Sequence, residues 1–243
     1  MAGKHPFYLS IKSDLCLTRL CRFDYFLAEA LSPKDVNAPT TFVQAALYKQ
    51  WKGFAPPGSC TIIPLNGSSF ENNNHGCAHI ALCPTMRRPE SVTWNREIVY
   101  NLMWSILVSL DQHNAAVDDL TQIGTGTRIR KVLMTGLGTG VGEVSSAKCA
   151  QQMALAVKHF LEASAHPEKW GAMSWDDTVV LDAEIRRTCA LWVDIRKLTL
   201  VTPRWCNPLE EIIVPIERSA LSSYELAHVE WWTRHYPRWE LIT

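Results

Sequence analysis

The sequence predicts an α/β domain, and three observations carry that expectation. Two short apolar runs, AHIALC at 78–83 and KVLMT at 131–135, end abruptly, the first at Pro84 and the second at a glycine-rich turn. Runs of this kind read as buried strands. A long stretch with helical spacing of its apolar residues lies between them, and another follows the glycine turn. Strand, helix, strand, turn and helix in that order predict a pair of parallel strands joined by a right-handed crossover.

The first of these helices is expected over 94–110. Trp94, Ile98, Leu102, Ile106 and Leu110 recur every fourth residue there, with Val99, Met103 and Leu107 beside them. Thr93 is the expected N-cap, and Glu97 sets a negative charge in the first turn, where the helix dipole favours it. A polar connection is expected over 111–128. The second helix is expected over 147–161, with Ser145 and Ser146 as N-cap candidates and Ala150, Met153, Ala154, Val157 and Phe160 as its apolar stripe. Residues 1–22 carry no legible pattern, and turn clusters fall at 32–40 and 55–59. After Pro167 the text changes: seven of the ten tryptophans lie from Trp170 onward, which sets the tail apart. Helix starts are expected at 174–177 and at 222–225, the latter with capping-box spacing, and strands at 198–202 and 212–216. The organisation is therefore an atypical segment 1–22, a core 23–175, and a tail 176–243 that either completes the same domain or is appended to it.

Composition narrows the function. Of 243 residues, 47% are hydrophobic and 20% charged, which excludes a disordered, collagen-like or coiled-coil chain. Lys plus Arg equals Asp plus Glu at 24 each, so no overall attraction for nucleic acid or anionic membrane is expected. No run approaches the ~20 apolar residues of a membrane span, and the start MAGKHPFYLS lacks the apolar core of a signal peptide. A soluble protein, intracellular in the cytoplasm or nucleus, is the expectation. Its eight cysteines include no CxxC pair, and Cys83, Cys149 and Cys189 fall inside apolar runs, so they read as reduced core thiols.

The residues that point to chemistry lie in TGLGTGVGEVSS, 135–146, where Gly136, Gly138, Gly140 and Gly142 alternate. Glycine leaves its backbone N–H unshielded and free to turn. Successive exposed amides make an anion-binding nest, and the helix that follows adds its positive end. Named phosphate motifs do not fit. GxGxxG begun at Gly136 fails at Val141, begun at Gly138 it fails at Glu143, and the Walker lysine is absent. A phosphate cradle without a catalytic lysine remains, beside the alternative of a tight turn whose glycines serve helix–strand packing. His75, Cys77 and His79 lack a second ligand pair that would close a metal site, so none is expected. Cys149 reads as a small core residue at a helix start. Arg87 and Arg88 read either as anion contacts or as a solvated pair. Trp231, Trp232 and Trp239 read as core or as a sticky surface.

The pairing of CPTMRRPESVTWNREIVYNLMWSILVSLDQHN with VLMTGLGTGVGEVSSAKCAQQMALAVKHF resembles the macro-domain-like proteins found mainly in fungi, over about residues 23–175. That resemblance implies a three-layer αβα fold with a mixed, partly parallel sheet, and ADP-ribose lying across the carboxyl ends of the strands. It implies that Gly138, Thr139, Gly140, Val141 and Gly142 wrap the diphosphate and distal ribose, that Gly136 is also a ligand-binding residue, and that Pro84 and Thr85 border the same cleft. FDYFLAEAL resembles the helix after the family's first glycine stretch, which puts Asp24 at the position of a water-positioning aspartate in ADP-ribosyl hydrolysis. The implied partner is ADP-ribose or an ADP-ribosylated protein, with no metal and no redox cofactor. Two other readings stand beside it: a divergent or truncated macro-like chain without ligand contacts, and an NAD-dependent oxidoreductase, which needs the fingerprint that fails above.

Overall fold

The computed structural model of the protein describes residues 7–10, 22–120, 128–190 and 211–213, with backbone alone at 7–10, 22–26, 119–120, 189–190 and 211–213. The chain is a mixed helix-and-sheet, α/β protein. In order along the chain the elements are β1 (Phe7–Ser10), α1 (Arg22–Leu31), α2 (Ala38–Trp51), β2 (Thr61–Pro64), β3 (His79–Leu82) and α3 (Ile98–Leu120). After them come β4 (Lys131–Leu133), α4 (Ser146–Ala165), α5 (Pro167–Gly171), α6 (Trp175–Ala190) and β5 (Glu211–Ile213). The strands are ordered β2-β3-β1-β4-β5. β2 runs antiparallel to β3, with Thr61 opposite Leu82, while β1 pairs in parallel with β3 at Ser10–Leu82 and with β4 at Tyr8–Leu133. β5 pairs in parallel with β4. The two strands legible in the sequence are thus not neighbours. β1, from the segment without a pattern, inserts between them, so the crossover from β3 through α3 skips one strand.

Both faces of β3 are covered. Ile80 packs with Leu27 and Leu31 of α1, and Leu82 packs with Leu47 of α2. Ala81 and Cys83 turn the other way, into the main core with Leu102, Met103 and Ile106 of α3 and with Leu155 and Ala156 of α4. Alternation along a strand sends successive side chains to opposite faces, and here each face meets helices, which is why all four residues of β3 are buried. Among the described residues no helix is long and apolar enough to cross a membrane.

The helix expected over 94–110 is displaced. α3 starts at Ile98 and continues to Leu120, through ten residues of the expected polar connection. Its buried stripe runs on through Asn114 and Val117. The Asn114 amide donates to the Ile129 carbonyl at 3.0 Å and accepts from the Ile129 N–H at 2.8 Å, so this polar side chain mimics a backbone strand partner inside the core. Thr93 is not the N-cap. It lies upstream of the helix, its hydroxyl 3.0 Å from Ser91 Oγ, and Asn95 instead accepts from the Glu97 N–H. Ser145 does cap α4, its hydroxyl accepting from the Lys148 N–H at 3.3 Å. Ser174 and Asp177 form the expected reciprocal start of α6. The expected strand at 198–202, the helix start at 222–225 and the tryptophans at 231, 232 and 239 lie outside the described residues; β5 covers the first part of the strand expected at 212–216.

His79 carries a pH dependence. Burial first, and then the neighbouring His113 ring 4.8 Å away, push its pKa from 6.5 down to about 4. Above pH 6.5 the imidazole is neutral in both folded and unfolded chains and its contribution to stability is whole. As pH falls from 6.5 towards about 4 the unfolded chain takes up a proton that the folded one refuses. Stability falls across that window by an amount on the order of 2 kcal/mol. Urea midpoints at pH 7.5 and 4.5 are expected to converge in His79→Phe, which keeps a ring against His113; an unchanged difference between the two pH values would assign the acid sensitivity to other groups.

Candidate functional site

Two segments leave the sheet on one side, 84–97 after β3 and 134–145 after β4, because both strands run parallel to β1. They meet directly. The Val92 N–H donates to the Gly142 carbonyl at 3.0 Å. The Val92 and Met86 side chains lie against Gly142, where a Cβ would stand 2.9 Å from Val92 Cγ2 and 3.2 Å from Met86 Cε. The structure therefore brings the Pro84–Thr85 neighbourhood and the glycine turn together as one surface. Pro84 and Thr85 are themselves buried, the Pro84 carbonyl accepting from the Gly58 N–H at 2.8 Å. Arg87 and Arg88 after them are exposed, and the Arg88 guanidinium is paired with the Glu90 carboxylate at 2.9 Å.

Inside the turn the four glycines do different work. Only Gly138 has the left-handed backbone, at φ 71°, and the next left-handed residue is Glu143 at φ 58°. The Gly138 carbonyl accepts from the Val144 N–H at 3.0 Å, which folds the loop back onto itself. Gly136 is held by Thr139, whose hydroxyl donates to the Gly136 carbonyl at 3.0 Å. The Gly140 carbonyl accepts from the Glu143 N–H at 3.0 Å. Gly142 is demanded by packing, since its Cβ would also stand 2.6 Å from the Gly138 oxygen. Gly140 has neither reason: its backbone is outside the left-handed region and nothing lies within 4 Å of an added Cβ.

The donors divide in the same way. Thr139, Glu143 and Val144 spend their N–H groups on loop carbonyls. Those of Gly140, Val141 and Gly142 have no acceptor among the described residues, and Thr139, Gly140 and Val141 are exposed. The loop runs straight into the capped N-terminus of α4, whose first-turn amides are the positive end of a helix of 20 residues. Lys148 on that first turn and the exposed Arg87, whose guanidinium lies 5.7 Å from the Phe54 ring centre, add positive charge. Glu143 is the carboxylate of the loop, and it is exposed.

Other candidates resolve more simply. Cys149 is 3% exposed, burial pushes its thiol up to about 12 against a weaker opposing bond from the Leu137 backbone, and its Sγ meets Met153 Sδ at 3.5 Å. A thiol so held is protonated and behaves as core. Cys60, Cys77 and Cys83 are likewise buried thiols. Among the described residues no cluster of His, Cys, Asp or Glu is placed to hold a metal ion. Asp24 lies in the first turn of α1, and its side chain lies outside the described residues. Sequence reasoning placed Pro84–Met86 at this strand end but missed Val92, and it put Trp94 on a buried helical face. Trp94 is 73% exposed, in the turn 92–95 closed by the Asn95 N–H on the Val92 carbonyl at 2.9 Å. No family model matches this chain, and no curated protein matches its sequence.

Proposed function

We propose that the chain is a macro-domain-like protein that binds ADP-ribose or a related nucleoside diphosphate, with a three-layer αβα core and its ligand lying over the carboxyl ends of β3, β1 and β4. The single observation that carries the reading is the set of amides at Gly140, Val141 and Gly142, which have no acceptor among the described residues and lie in the loop that leads into the N-terminus of α4. Gly140 and Val141 are exposed, and exposed backbone donors ahead of a helix start favour an anion. Gly140 supports the same reading, because folding gives no reason for a glycine there and the close approach of a ligand does. The failing fingerprint at Val141 and Glu143 speaks against a nicotinamide-dependent oxidoreductase.

A thermal-shift panel of ADP-ribose, NAD, AMP and ATP tests it. A ligand at about 100 times its Kd adds about 2.7 kcal/mol to the folded state, which for a chain of this size raises Tm by roughly 5–10 °C. ADP-ribose is expected to give that shift and AMP, with one phosphate, a smaller one. Four flat curves would remove the ligand reading and leave the divergent, non-binding chain.

A further inference from the structure

We propose that Cys60 and Cys83 form a peroxide-oxidisable dithiol, a modification site at which a cross-strand disulfide closes between the edge strand β2 and β3, where the 84–97 segment leaves the sheet. The proposal is independent of any ligand on the glycine loop. Three observations carry it. β2 and β3 pair with Pro64 opposite His79 and Thr61 opposite Leu82, and one step further the same register sets Cys60 opposite Cys83. Both side chains enter the main core, on the face that Ala81 and Ile62 also serve. Their thiols are hydrogen-bonded to each other, and Cys83 is fully enclosed while Cys60 keeps 8% of its surface exposed.

The position on the ladder suits a bridge. At the far end the Leu65 N–H donates to the Ala78 carbonyl at 2.9 Å. Bonded pairs alternate with unbonded ones along an antiparallel ladder, so Cys60 and Cys83 occupy an unbonded pair, where Cα atoms stand about 4.5 Å apart and side chains approach most closely. Disulfides span Cα separations of roughly 4.4–6.8 Å, so closure needs little movement of either strand. The other described cysteines are placed differently: Cys77 Sγ donates to the His79 carbonyl at 3.3 Å, and Cys149 Sγ meets Met153 Sδ at 3.5 Å.

Cys60 is the thiol that meets the oxidant. It follows the half-buried turn 57–59, which the Gly58 N–H fastens to the Pro84 carbonyl at 2.8 Å. The Cys60 thiol gives its proton to water and its sulfur attacks one oxygen of hydrogen peroxide. The O–O bond breaks, hydroxide leaves and takes up a proton as water, and Cys60 becomes a sulfenic acid. The Cys83 sulfur then displaces the sulfenic hydroxyl, which leaves as water with the Cys83 proton. Two thiols and one peroxide thus give one disulfide and two waters; the sulfurs lose two electrons and the peroxide oxygens gain them. Burial, and then the bond to Cys60, hold the Cys83 thiol protonated until the sulfenic acid forms beside it.

Peptide mapping tests the bridge on the full chain, treated with hydrogen peroxide while folded and then alkylated in denaturant. Digestion with trypsin and a glutamate-specific protease cuts after Lys52, Glu71 and Arg87, which puts Cys60 in the peptide 53–71 and Cys83 in 72–87 together with Cys77. The expected product is these two peptides joined through Cys60 and Cys83, two hydrogens lighter than the separate thiols and released by dithiothreitol. Cys77→Ser is expected to keep the link, and Cys83→Ala to lose it and leave Cys60 to oxidise on to the sulfinic acid. The bridged chain is expected to melt roughly 5–10 °C above the reduced one. Alkyl label on both Cys60 and Cys83 after peroxide, a link from Cys60 to Cys77 instead, or a bridge that forms only in the unfolded chain would overturn the proposal. An equal or lower Tm in the bridged chain would overturn the preset geometry, because closure would then distort the strands.

Discussion

Gly142→Ala is expected to destabilise the protein by about 1–3 kcal/mol and to abolish nucleotide binding, while Gly140→Ala, two residues earlier, is expected to weaken binding with no loss of stability. The two glycines look alike in the sequence and differ in what surrounds them. A methyl on Gly142 would stand 2.6 Å from the Gly138 oxygen and 2.9 Å from Val92 Cγ2. The first is backbone and cannot rotate away, so the loop must open. Opening it breaks the bond from the Val92 N–H to the Gly142 carbonyl and the bond from the Val144 N–H to the Gly138 carbonyl, each 3.0 Å, and with them the arrangement that lines up the unspent amides. At Gly140 a methyl meets nothing within 4 Å and the backbone already suits an L-residue. Removing glycine's freedom in the unfolded chain there stabilises by about 0.4–1 kcal/mol, yet the methyl projects from the exposed loop where a phosphate would approach. Urea unfolding and calorimetry on the two variants check both halves. Full binding by Gly140→Ala would place the ligand elsewhere; an undiminished urea midpoint in Gly142→Ala would mean that the loop yields without cost.

The parts of this arrangement that were legible in the sequence are those where local chemistry and tertiary packing agree. β3 and β4 are short apolar runs that end at a proline or a glycine turn, and Ser145 is a hydroxyl before a helical stripe; each element needs little beyond its own residues. The parts that were not legible are those where a distant partner decides. FYLS at 7–10 becomes a strand because β3 and β4 flank it on either side. The end of α3 was hidden by Asn114, a polar residue on the buried stripe, whose amide is satisfied by Ile129 fifteen residues later. Trp94 fits the spacing to Ile98, yet the turn 92–95 is fixed by the glycine loop, and that contact wins over helical propensity. For the site, the glycine turn and its meeting with the segment after β3 were legible as pattern. The distinction between a glycine demanded by packing and one left open was not, because it depends on Val92 and Met86 being brought to Gly142.

The largest effect remote from the loop is expected at Gln152. In the sequence it is one of two glutamines on an amphipathic helix, where solvent would be its natural surroundings; in the fold it is fully buried. Its Oε1 accepts from the Tyr100 N–H at 3.2 Å, and its Nε2 donates to the Arg96 carbonyl at 2.6 Å and to Thr188 Oγ1 at 3.2 Å. Tyr100 is in the first turn of α3, where backbone donors have no partner within the helix, so a side chain from α4 caps α3 and at the same time holds α6. His159, two helical turns on, repeats the device: with the Nε2–H tautomer it donates to Glu184 of α6 at 3.1 Å, and its Nδ1 accepts from the Tyr100 hydroxyl at 2.9 Å. Burial favours the neutral ring that this tautomer requires, outweighing the Glu184 carboxylate that pulls the other way. Gln152→Leu, of similar volume, strips the Tyr100 N–H and the Arg96 carbonyl of this shared partner at a cost of about 2–5 kcal/mol. Gln152→Glu restores only the acceptor and sets a second one against the Arg96 carbonyl, so it too is expected to destabilise. Because Arg96 lies near the end of the segment that begins at Pro84 and carries Val92, the loss should reach the glycine loop: in Gln152→Leu, still folded at low temperature, ADP-ribose affinity is expected to fall with stability. A drop in the urea midpoint with binding intact would confine the clamp to the helices and show that the bond from Val92 to Gly142 holds the site without help from α4.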